Sequence, residues 1–181
     1  RDSLCIDFLE NRTDKKTVDL CSGSGAIAVA LDKISGAEVT AVEIDETAFS
    51  YLETNVKENN SSVKPVMADA LEICETFADG ELDLIVSNPP YIKSADIETL
   101  QKEVRLEPRL ALDGGEDGCD FYREIVSRWS RKLKKGGALA FELGENQADA
   151  VKALMTDKGF SNFKISLDFG GVQRAIIGTL L

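Results

Sequence analysis

The stretch TVDLCSGSG, residues 17–25, decides the fold of this chain. Its first part, Thr17–Cys21, is a short apolar run that predicts a buried strand. Gly23 and Gly25 then permit positive φ and a close approach of the backbone to a ligand. A helix predicted over Ala26–Lys33 follows at once, and its first amide N–H groups would point at a bound molecule. This succession predicts a ligand site at the end of a sheet strand.

Outward from this loop, strands and helices alternate. Further strands are predicted at Glu38–Glu43, Lys64–Ala68, Leu82–Ser87, Ala138–Leu143, Asn162–Asp168 and Arg174–Leu181. Further helices are predicted at Glu46–Asn59, Asp120–Leu133 and Asn146–Lys158. The Gly136-Gly137 pair is expected to end the second of these helices. Tyr91–Gly118 is expected to be irregular, with one helix near Ala95–Lys102.

The alternation predicts a mainly parallel sheet with helices on both faces. The last two strands are joined by Gly170-Gly171, which is too short for a crossover and requires an antiparallel hairpin. We therefore predict a doubly wound, seven-stranded α/β sheet, mainly parallel, with one antiparallel strand near the C-terminus. This is the Rossmann-like fold of class I S-adenosylmethionine-dependent methyltransferases. Its ligands would bind beyond the carboxyl ends of the first four strands.

Composition indicates one globular domain over residues 1–181, since 43% of the residues are hydrophobic and 29% are charged. No apolar run could span a bilayer and no secretory leader is visible, so we expect a cytoplasmic monomer without membrane contact. The net charge of −11 argues against stable nucleic-acid binding and favours a protein or small-molecule substrate. We interpret the one basic cluster, Arg128–Lys135, as a solvated helix end.

The chain has no histidine, which restricts its chemistry. A Ser-His-Asp triad and a Cys-His pair are excluded. The four cysteines, Cys5, Cys21, Cys74 and Cys119, form no Cys-x-x-Cys pair and indicate free thiols in a reducing compartment. We therefore expect no metal site.

The loops after the first three strands predict a site for S-adenosylmethionine. The first loop lacks the third glycine of a dinucleotide fingerprint, because Ala28 stands three residues beyond Gly25, and this favours a carboxylated amino-acid nucleoside over a pyrophosphate. The alternative is a plain tight turn. The predicted cofactor-binding residues are Asp19, Cys21, Ser22, Gly23, Ser24, Gly25, Glu43, Ile44, Asp69, Ala70 and Asn88.

Glu43 ends the second strand, where a carboxylate can accept both ribose hydroxyls. Asp45 is the alternative for this role, although only Glu43 sits at the strand tip. Asp69 follows the third strand and could accept from an adenine amino group. A solvated turn residue or helix cap is the other interpretation of Asp69.

Asn88-Pro89-Pro90-Tyr91, after the fourth strand, predicts the catalytic turn. Two prolines stiffen the backbone and donate no N–H, so the carbonyls of the turn remain available as acceptors. The side-chain carbonyl of Asn88 and the backbone carbonyl of Pro89 could together hold one planar NH₂ group, with Tyr91 lying over it. We assign catalysis to Asn88, Pro89 and Tyr91, and substrate binding to all four residues. A simple turn that closes the strand is the alternative.

These segments resemble the peptide-chain release factor glutamine methyltransferases. The resemblance covers nearly the whole chain and rests on Asp19–Gly25, Glu43, Ser87–Tyr91, Glu103–Pro108, Ala111–Gly118, Phe141–Gln147 and Asp168–Gly178. It implies N5-methylation of the glutamine in the Gly-Gly-Gln loop of a release factor, which would be the protein partner. The glutamine amide would be held by Asn88 and the Pro89 carbonyl, in a pocket over Tyr91 that is bounded by the Glu103–Gly118 segment.

The chain departs from the family pattern in two places. We expect the N-terminal helical domain that helps the family to grip the release factor to be absent, and only Arg1–Leu4 stands where the family has an Arg-Pro-Glu-Thr-Glu-like segment. Three alternatives stay open: methylation of a ribosomal-protein glutamine, methylation of an exocyclic amino group in a nucleic acid, and a catalytically silent binding module. The net charge argues against the nucleic acid, and the intact Asn88–Tyr91 turn argues against the silent module.

Overall fold

The computed structural model describes residues 2–10, 12–13 and 15–181. Its α-helices are α1 (Asp2–Leu9), α2 (Ala26–Ser35), α3 (Glu46–Glu58), α4 (Arg109–Leu112), α5 (Asp120–Trp129) and α6 (Ala148–Asp157). Its strands are β1 (Lys16–Leu20), β2 (Glu38–Glu43), β3 (Lys64–Met67), β4 (Leu82–Ser87), β5 (Leu133–Glu142), β6 (Phe160–Leu167) and β7 (Gln173–Leu180). Single 3₁₀ turns lie at Ile73–Thr76, Ile97–Thr99, Val104–Leu106 and Ser130–Lys132.

The described strands form one seven-stranded sheet in the order β3-β2-β1-β4-β5-β7-β6. The first five strands in this order, β3-β2-β1-β4-β5, pair with their neighbours in parallel. Strand β7 is antiparallel to both β5 and β6. The predicted doubly wound sheet with one antiparallel strand is therefore confirmed. The register also places the carboxyl ends of β1, β2 and β4 at the same edge of the sheet, because Leu20 pairs with both Val42 and Ser87. The loops after β1, β2 and β4 consequently open at one edge of the sheet.

Alternating side chains on the strands build two hydrophobic layers, one on each face of the sheet. In β5, Leu139 and Phe141 belong to the layer shared with α5 and α6. Ala138 and Ala140 belong to the layer shared with α1, α2 and α3. The sheet is thus covered on both faces, as its parallel strands require.

Helix α1 is not predicted by the sequence pattern. Cys5 and Leu9, four residues apart, are buried in the layer that contains α2. This contact with the rest of the fold stabilises a helix of only eight residues, which would be marginal alone.

The Gly136-Gly137 pair does not end a helix, so that prediction is wrong. Helix α5 ends at Trp129, and β5 already begins at Leu133. Gly136 has a φ of +78° inside β5, where the pairing with β4 shifts register between Leu82 and Leu84. The glycine pair therefore forms a bulge in a strand.

The interpretation of Arg128–Lys135 as a solvated helix end is also wrong in part. Lys132 is only 3% exposed. Its ammonium group donates to the carbonyl of Phe77 and to the carboxylate of Asp79, each at 2.8 Å. These contacts tie the start of β5 to the turn before β4, and only the neighbouring arginines and Lys135 face solvent.

Two more predicted helices differ from the structure. No helix spans Ala95–Lys102, where the structure has one 3₁₀ turn at Ile97–Thr99. Helix α6 begins at Ala148 rather than Asn146, because Asn146 adopts a left-handed φ of +63°. Among the described residues, no helix is long and apolar enough to cross a membrane.

Candidate functional site

The predicted cofactor residues after β1, β2 and β3 lie together at the carboxyl edge of the sheet. The backbone N–H of Gly23 donates to the Glu43 carboxylate at 2.7 Å, and that of Ser22 donates to the carbonyl of Val42 at 3.0 Å. The N–H of Ala68, at the end of β3, donates to the carbonyl of Glu43 at 3.0 Å. The three loops are thus joined by hydrogen bonds that all meet at the end of β2.

Glu43 is held at the tip of β2 by three backbone donors. Its Oε2 accepts from Gly23, and its Oε1 accepts from the N–H groups of Ile44 and Asp45 at 2.9 Å each. The side chain is only 8% exposed. Its rival, Asp45, is the N-cap of α3 and accepts from the N–H of Ala48 at 2.9 Å. Glu43 is therefore fixed at the tip of β2, whereas Asp45 caps α3.

The two glycines of the first loop have different tasks. Gly23 has a φ of +56°, and a Cβ placed there would meet nothing within 4 Å. Gly25 has a φ of +78°, but a Cβ there would collide with Cδ1 of Leu52 in α3. Gly23 is thus open to a ligand, whereas the absence of a side chain at Gly25 allows the loop to pack against α3.

Asp69 lies in a turn that follows β3. Its Oδ1 accepts from the N–H of Leu71 at 2.7 Å, so the turn-residue interpretation applies to this oxygen. The next residue, Ala70, is buried, and its carbonyl accepts from the indole N–H of Trp129 at 2.8 Å. This bond anchors the turn to the hydrophobic layer under α5.

The thiol of Cys21 is surrounded by the acidic groups of the site. Burial raises its pKa to about 12, and the negative charges of Glu43, Asp19 and Asp69 add to this increase. A hydrogen bond with Ser87 opposes it. Cys21 therefore stays protonated at neutral pH and is no nucleophile.

The Asn88–Tyr91 turn is held rigidly after β4. Pro89 and Pro90 are buried, while Asn88 and Tyr91 are half-buried. The hydroxyl of Ser87, just before the turn, donates to the carbonyl of Leu20 at 2.8 Å and so fixes β4 to β1. The turn therefore stands directly beside the loop that follows β1.

Tyr91 faces an open cleft. Its hydroxyl donates to Oε1 of Glu142, at the end of β5, at 3.2 Å. Both residues line a cleft of about 680 Å³ whose other wall comes from the β6–β7 hairpin, namely Ser166, Leu167, Asp168, Phe169 and Arg174. The sequence predicts a pocket bounded by the Glu103–Gly118 segment, but no residue of that segment lines this cleft. Glu142 was not predicted as a site residue.

One part of the Glu103–Gly118 segment does pack against the turn. The N–H of Ile92 donates to the carbonyl of Leu112 at 2.9 Å, and the N–H of Gly114 donates to the carbonyl of Ile92 at 2.8 Å. A Cβ on Gly114 would lie 2.7 Å from the Cα of Tyr91 and 2.9 Å from the carbonyl oxygen of Pro90. Gly114 thus allows this segment to lie directly against the turn.

Gln147 holds the turn from the other side and is not among the residues predicted for the site from the sequence. Its Nε2 donates to the carbonyl of Tyr91 at 2.9 Å and to that of Gly118 at 3.1 Å. Its Oε1 accepts from the N–H of Gly144 at 2.9 Å and from the hydroxyl of Tyr122 at 3.2 Å. The only sequence signal was its place in the Phe141–Gln147 segment that carries the resemblance. Within the described residues, no group of acidic, cysteine or histidine side chains is arranged to hold a metal ion.

Similarity to known proteins shows which family this chain belongs to. The model of the methyltransferase small domain matches residues 2–109. The chain belongs to this family. It is also similar to the release factor glutamine methyltransferase of Geobacter sulfurreducens, with 42% identity over 165 residues, and to that of Clostridium acetobutylicum, with 36% identity over 177 residues. These matches cover 90% and 95% of this chain but only 57% and 61% of those proteins.

Solved structures agree on the fold of this methyltransferase small domain. A methyltransferase from Pyrococcus furiosus superposes with a TM-score of 0.72 at 22% identity, covering 98% of this chain and 82% of that one. At this level of identity the likeness concerns the fold alone. The predicted class I methyltransferase fold is therefore confirmed.

Proposed function

We propose that this domain uses S-adenosylmethionine to methylate N5 of the glutamine in the Gly-Gly-Gln loop of a peptide-chain release factor. The observation that carries the proposal is the rigid Asn88–Tyr91 turn, which stands beside the Glu43 loop at one edge of a methyltransferase sheet. The names of the relatives from Geobacter sulfurreducens and Clostridium acetobutylicum support the choice of substrate. We take the domain to act as a cytoplasmic monomer that forms no stable complex with nucleic acid.

The residues at the carboxyl edge fit the proposed cofactor. Glu43 offers a buried carboxylate at a position already fixed by three backbone N–H groups, as acceptance of ribose hydroxyls requires. The space over Gly23 is open for the amino-acid end of the molecule. Asp69 and Ala70 would border the adenine, with Asp19, Cys21, Ser22, Ser24, Gly25, Ile44 and Asn88 completing the site. When bound, the cofactor supplies an electrophilic methyl group on a positively charged sulfur.

The turn would then activate a poor nucleophile. An amide nitrogen has its lone pair delocalised into the carbonyl group. Acceptors on both N–H bonds, from the Asn88 side chain and the Pro89 carbonyl, hold the NH₂ group and favour its pyramidal form in the transition state. Pro90 keeps the turn stiff, and the ring of Tyr91 lines the pocket. Catalysis consists of positioning and electrostatics, which is compatible with a chain that has no histidine.

The test is a competition between substrates. The domain is incubated with labelled cofactor and, in parallel, with a release factor, total ribosomal protein and total RNA. We expect one added methyl group on the tryptic peptide that contains the Gly-Gly-Gln glutamine, located by fragmentation mass spectrometry. The control is a release factor in which that glutamine is replaced by glutamate. Label in RNA, in a ribosomal protein or on a lysine would overturn the proposed substrate.

A further inference from the structure

The amide of Gln147 is hydrogen-bonded on every side. A glutamine side chain has two N–H donors and an oxygen with two acceptor positions. Here the donors go to the carbonyls of Tyr91 and Gly118, and the oxygen receives the N–H of Gly144 at 2.9 Å. The single hydroxyl hydrogen of Tyr122 is shared between this oxygen, at 3.2 Å, and the closer carbonyl of Glu142, at 2.9 Å. Since two carbonyls lie on one side of the amide and the N–H of Gly144 lies on the other, only one orientation of the amide satisfies these hydrogen bonds.

This network joins three other parts of the chain to the catalytic turn. Tyr91 belongs to the turn after β4, Gly118 precedes α5, Tyr122 lies in α5, and Gly144 follows β5. Tyr122 is fully buried, so the amide is tied to the hydrophobic layer and not to a mobile surface. The carbonyl of Tyr91 is thereby fixed relative to both neighbouring loops.

Two glycines make room for this arrangement. A Cβ on Gly118 would lie 2.7 Å from Nε2 of Gln147 and 2.5 Å from the carbonyl oxygen of Tyr91. A Cβ on Gly144 would lie 2.5 Å from Oε1 of Gln147 and 3.0 Å from Cδ2 of Tyr91. Side chains at these positions would push the amide or the tyrosine ring away.

Helix α6 has no side-chain cap at its N-terminus, because the side chain of Gln147 is used in this network instead. Gln147 is its N-cap residue, but its side chain makes no capping hydrogen bond. Ser, Thr, Asp or Asn would cap the helix better. The preceding Asn146 also adopts a left-handed φ of +63°. Departures from local preference of this kind are expected at functional positions.

We propose that Gln147 is a positioning residue that fixes the carbonyl of Tyr91 and so sets the direction in which the Asn88–Tyr91 turn presents its acceptors and its ring. This inference rests on the proposed function. Glutamate is the most informative replacement, because it has the same shape but would direct a carboxylate at two carbonyl oxygens. The turn would then be displaced while the Glu43 side of the site stays as it is.

The kinetic experiment compares Gln147→Glu with Gln173→Glu, which makes the same chemical change at an exposed position of β7. For Gln147→Glu we expect the turnover number to fall roughly 10- to 100-fold, as for a small misplacement of reacting groups. Cofactor affinity, measured by calorimetry, should change less than about 2-fold, and Gln173→Glu should match the wild type. A lower melting temperature with unchanged turnover would overturn the proposal.

The pH profile separates positioning from general loss of stability. A protonated glutamic acid can donate to one of the two carbonyls, and burial favours the protonated form. The turnover of Gln147→Glu relative to wild type should therefore rise as the pH falls from about 8.5 to about 6. A relative turnover that stays flat or falls over this range contradicts the proposed hydrogen bond to Tyr91.

A spectroscopic readout does not depend on the substrate. With fluorotyrosine incorporated at Tyr51, Tyr91 and Tyr122, the Tyr91 resonance is assigned from Tyr91→Phe. We expect Gln147→Glu to shift the resonances of Tyr91 and Tyr122 and to leave that of Tyr51, which is 63% exposed on α3. If the wild type fails to methylate a release factor, the proposed function is wrong. If the Tyr91 resonance does not shift in Gln147→Glu, the proposed role of Gln147 is wrong, whatever the substrate.

Discussion

At the scale of single residues, Glu43 is the acceptor proposed for the cofactor. Its carboxylate receives the N–H groups of Gly23, Ile44 and Asp45. A side chain held by backbone donors needs little reorganisation when a ligand arrives, which favours binding. Asp45 lies two positions further on and is occupied by capping α3. The two acids therefore differ in task although they are close in sequence.

Replacing Glu43 tests this difference. Glu43→Gln turns one acceptor oxygen into a donor that faces the N–H of Gly23. We expect cofactor affinity to fall by about 1–3 kcal/mol, the cost of an unsatisfied buried polar contact. Asp45→Asn removes the same charge but keeps the capping oxygen, and asparagine caps helices equally well. An equal loss of affinity in both variants, measured by titration calorimetry, would show that Glu43 has no special role.

Asn88 should act mainly in the transition state. Asn88→Ala removes one of the two acceptors proposed for the amide. We expect the turnover number to fall by roughly 100-fold, with a much smaller change in cofactor affinity. Asn59→Ala, at the exposed end of α3, is the control and should have wild-type kinetics. Turnover near that of the wild type at saturating cofactor would contradict the proposed amide clamp.

Cys21 should be almost inert. Its pKa is raised from 9.0 to about 12, so the reactive thiolate is rare at neutral pH. A raised pKa also contributes stability that is present below pH 9.0 and is lost as the pH rises towards about 12. We expect iodoacetamide to modify Cys21 far more slowly in the native protein than in the denatured chain, as followed by mass spectrometry. Similar rates of modification in the native protein and in the denatured chain would contradict the raised pKa of the Cys21 thiol.

At the scale of the elements, the register of the sheet brings the site together. Leu20, Val42 and Ser87 are level with one another across β1, β2 and β4. Ser87 is also level with Phe141 of β5, the residue before Glu142. The predicted cofactor loops and the Asn88–Tyr91 turn therefore emerge at one edge, as expected for an open parallel sheet.

Gly114 connects the Ala111–Gly118 segment to that edge. A Cβ at this position would meet the backbone of Tyr91 and Pro90, which cannot move aside as a flexible side chain could. We expect Gly114→Ala to displace the turn and to lower turnover at least about 10-fold, while cofactor binding persists.

Gly80→Ala provides the control for Gly114→Ala. Gly80 has a φ of +68° but open space around it, in the turn before β4. Its substitution should lower the melting temperature through backbone strain without affecting turnover. If Gly114→Ala lowers only the melting temperature, as Gly80→Ala should, then Gly114 has no part in shaping the turn.

At the scale of the whole molecule, the predicted site lies at one edge of an acidic protein. The net charge of −11 opposes binding of a polyanion. The cleft beside Tyr91 is wide and open, and Phe169 on the β6–β7 hairpin is fully exposed at its border. A folded protein could contact this border and the turn together.

A short Gly-Gly-Gln peptide should therefore be a poor substrate. Remote contacts supply part of the binding energy that places the reacting group, and a short peptide lacks them. We expect its kcat/KM to be at least about 100-fold below that of the folded release factor, measured by methyl transfer at matched concentrations. A peptide that reacts as well as the folded protein would contradict a role for contacts outside the turn.

The sequence by itself determined the sheet, its hairpin and most of the candidate site. Strand periodicity, the glycine loop at residues 17–25 and the proline turn at residues 88–91 are local patterns, and local sterics and hydrogen bonding decide them. The place of Glu43 at a strand tip was also predicted from the sequence, and β2 does end at this residue. These features depend on neighbours that are close along the chain.

Only the tertiary structure decided which distant residues support the turn. Gln147 and Tyr91 are 56 positions apart, and their contact follows from the register of β4 against β5. The bulge at Gly136, the burial of Lys132 and the helix around Cys5 and Leu9 likewise depend on packing against other elements. A local pattern cannot encode such partners, because a side chain's energy in the folded chain depends on groups that come near it only after the sheet has formed.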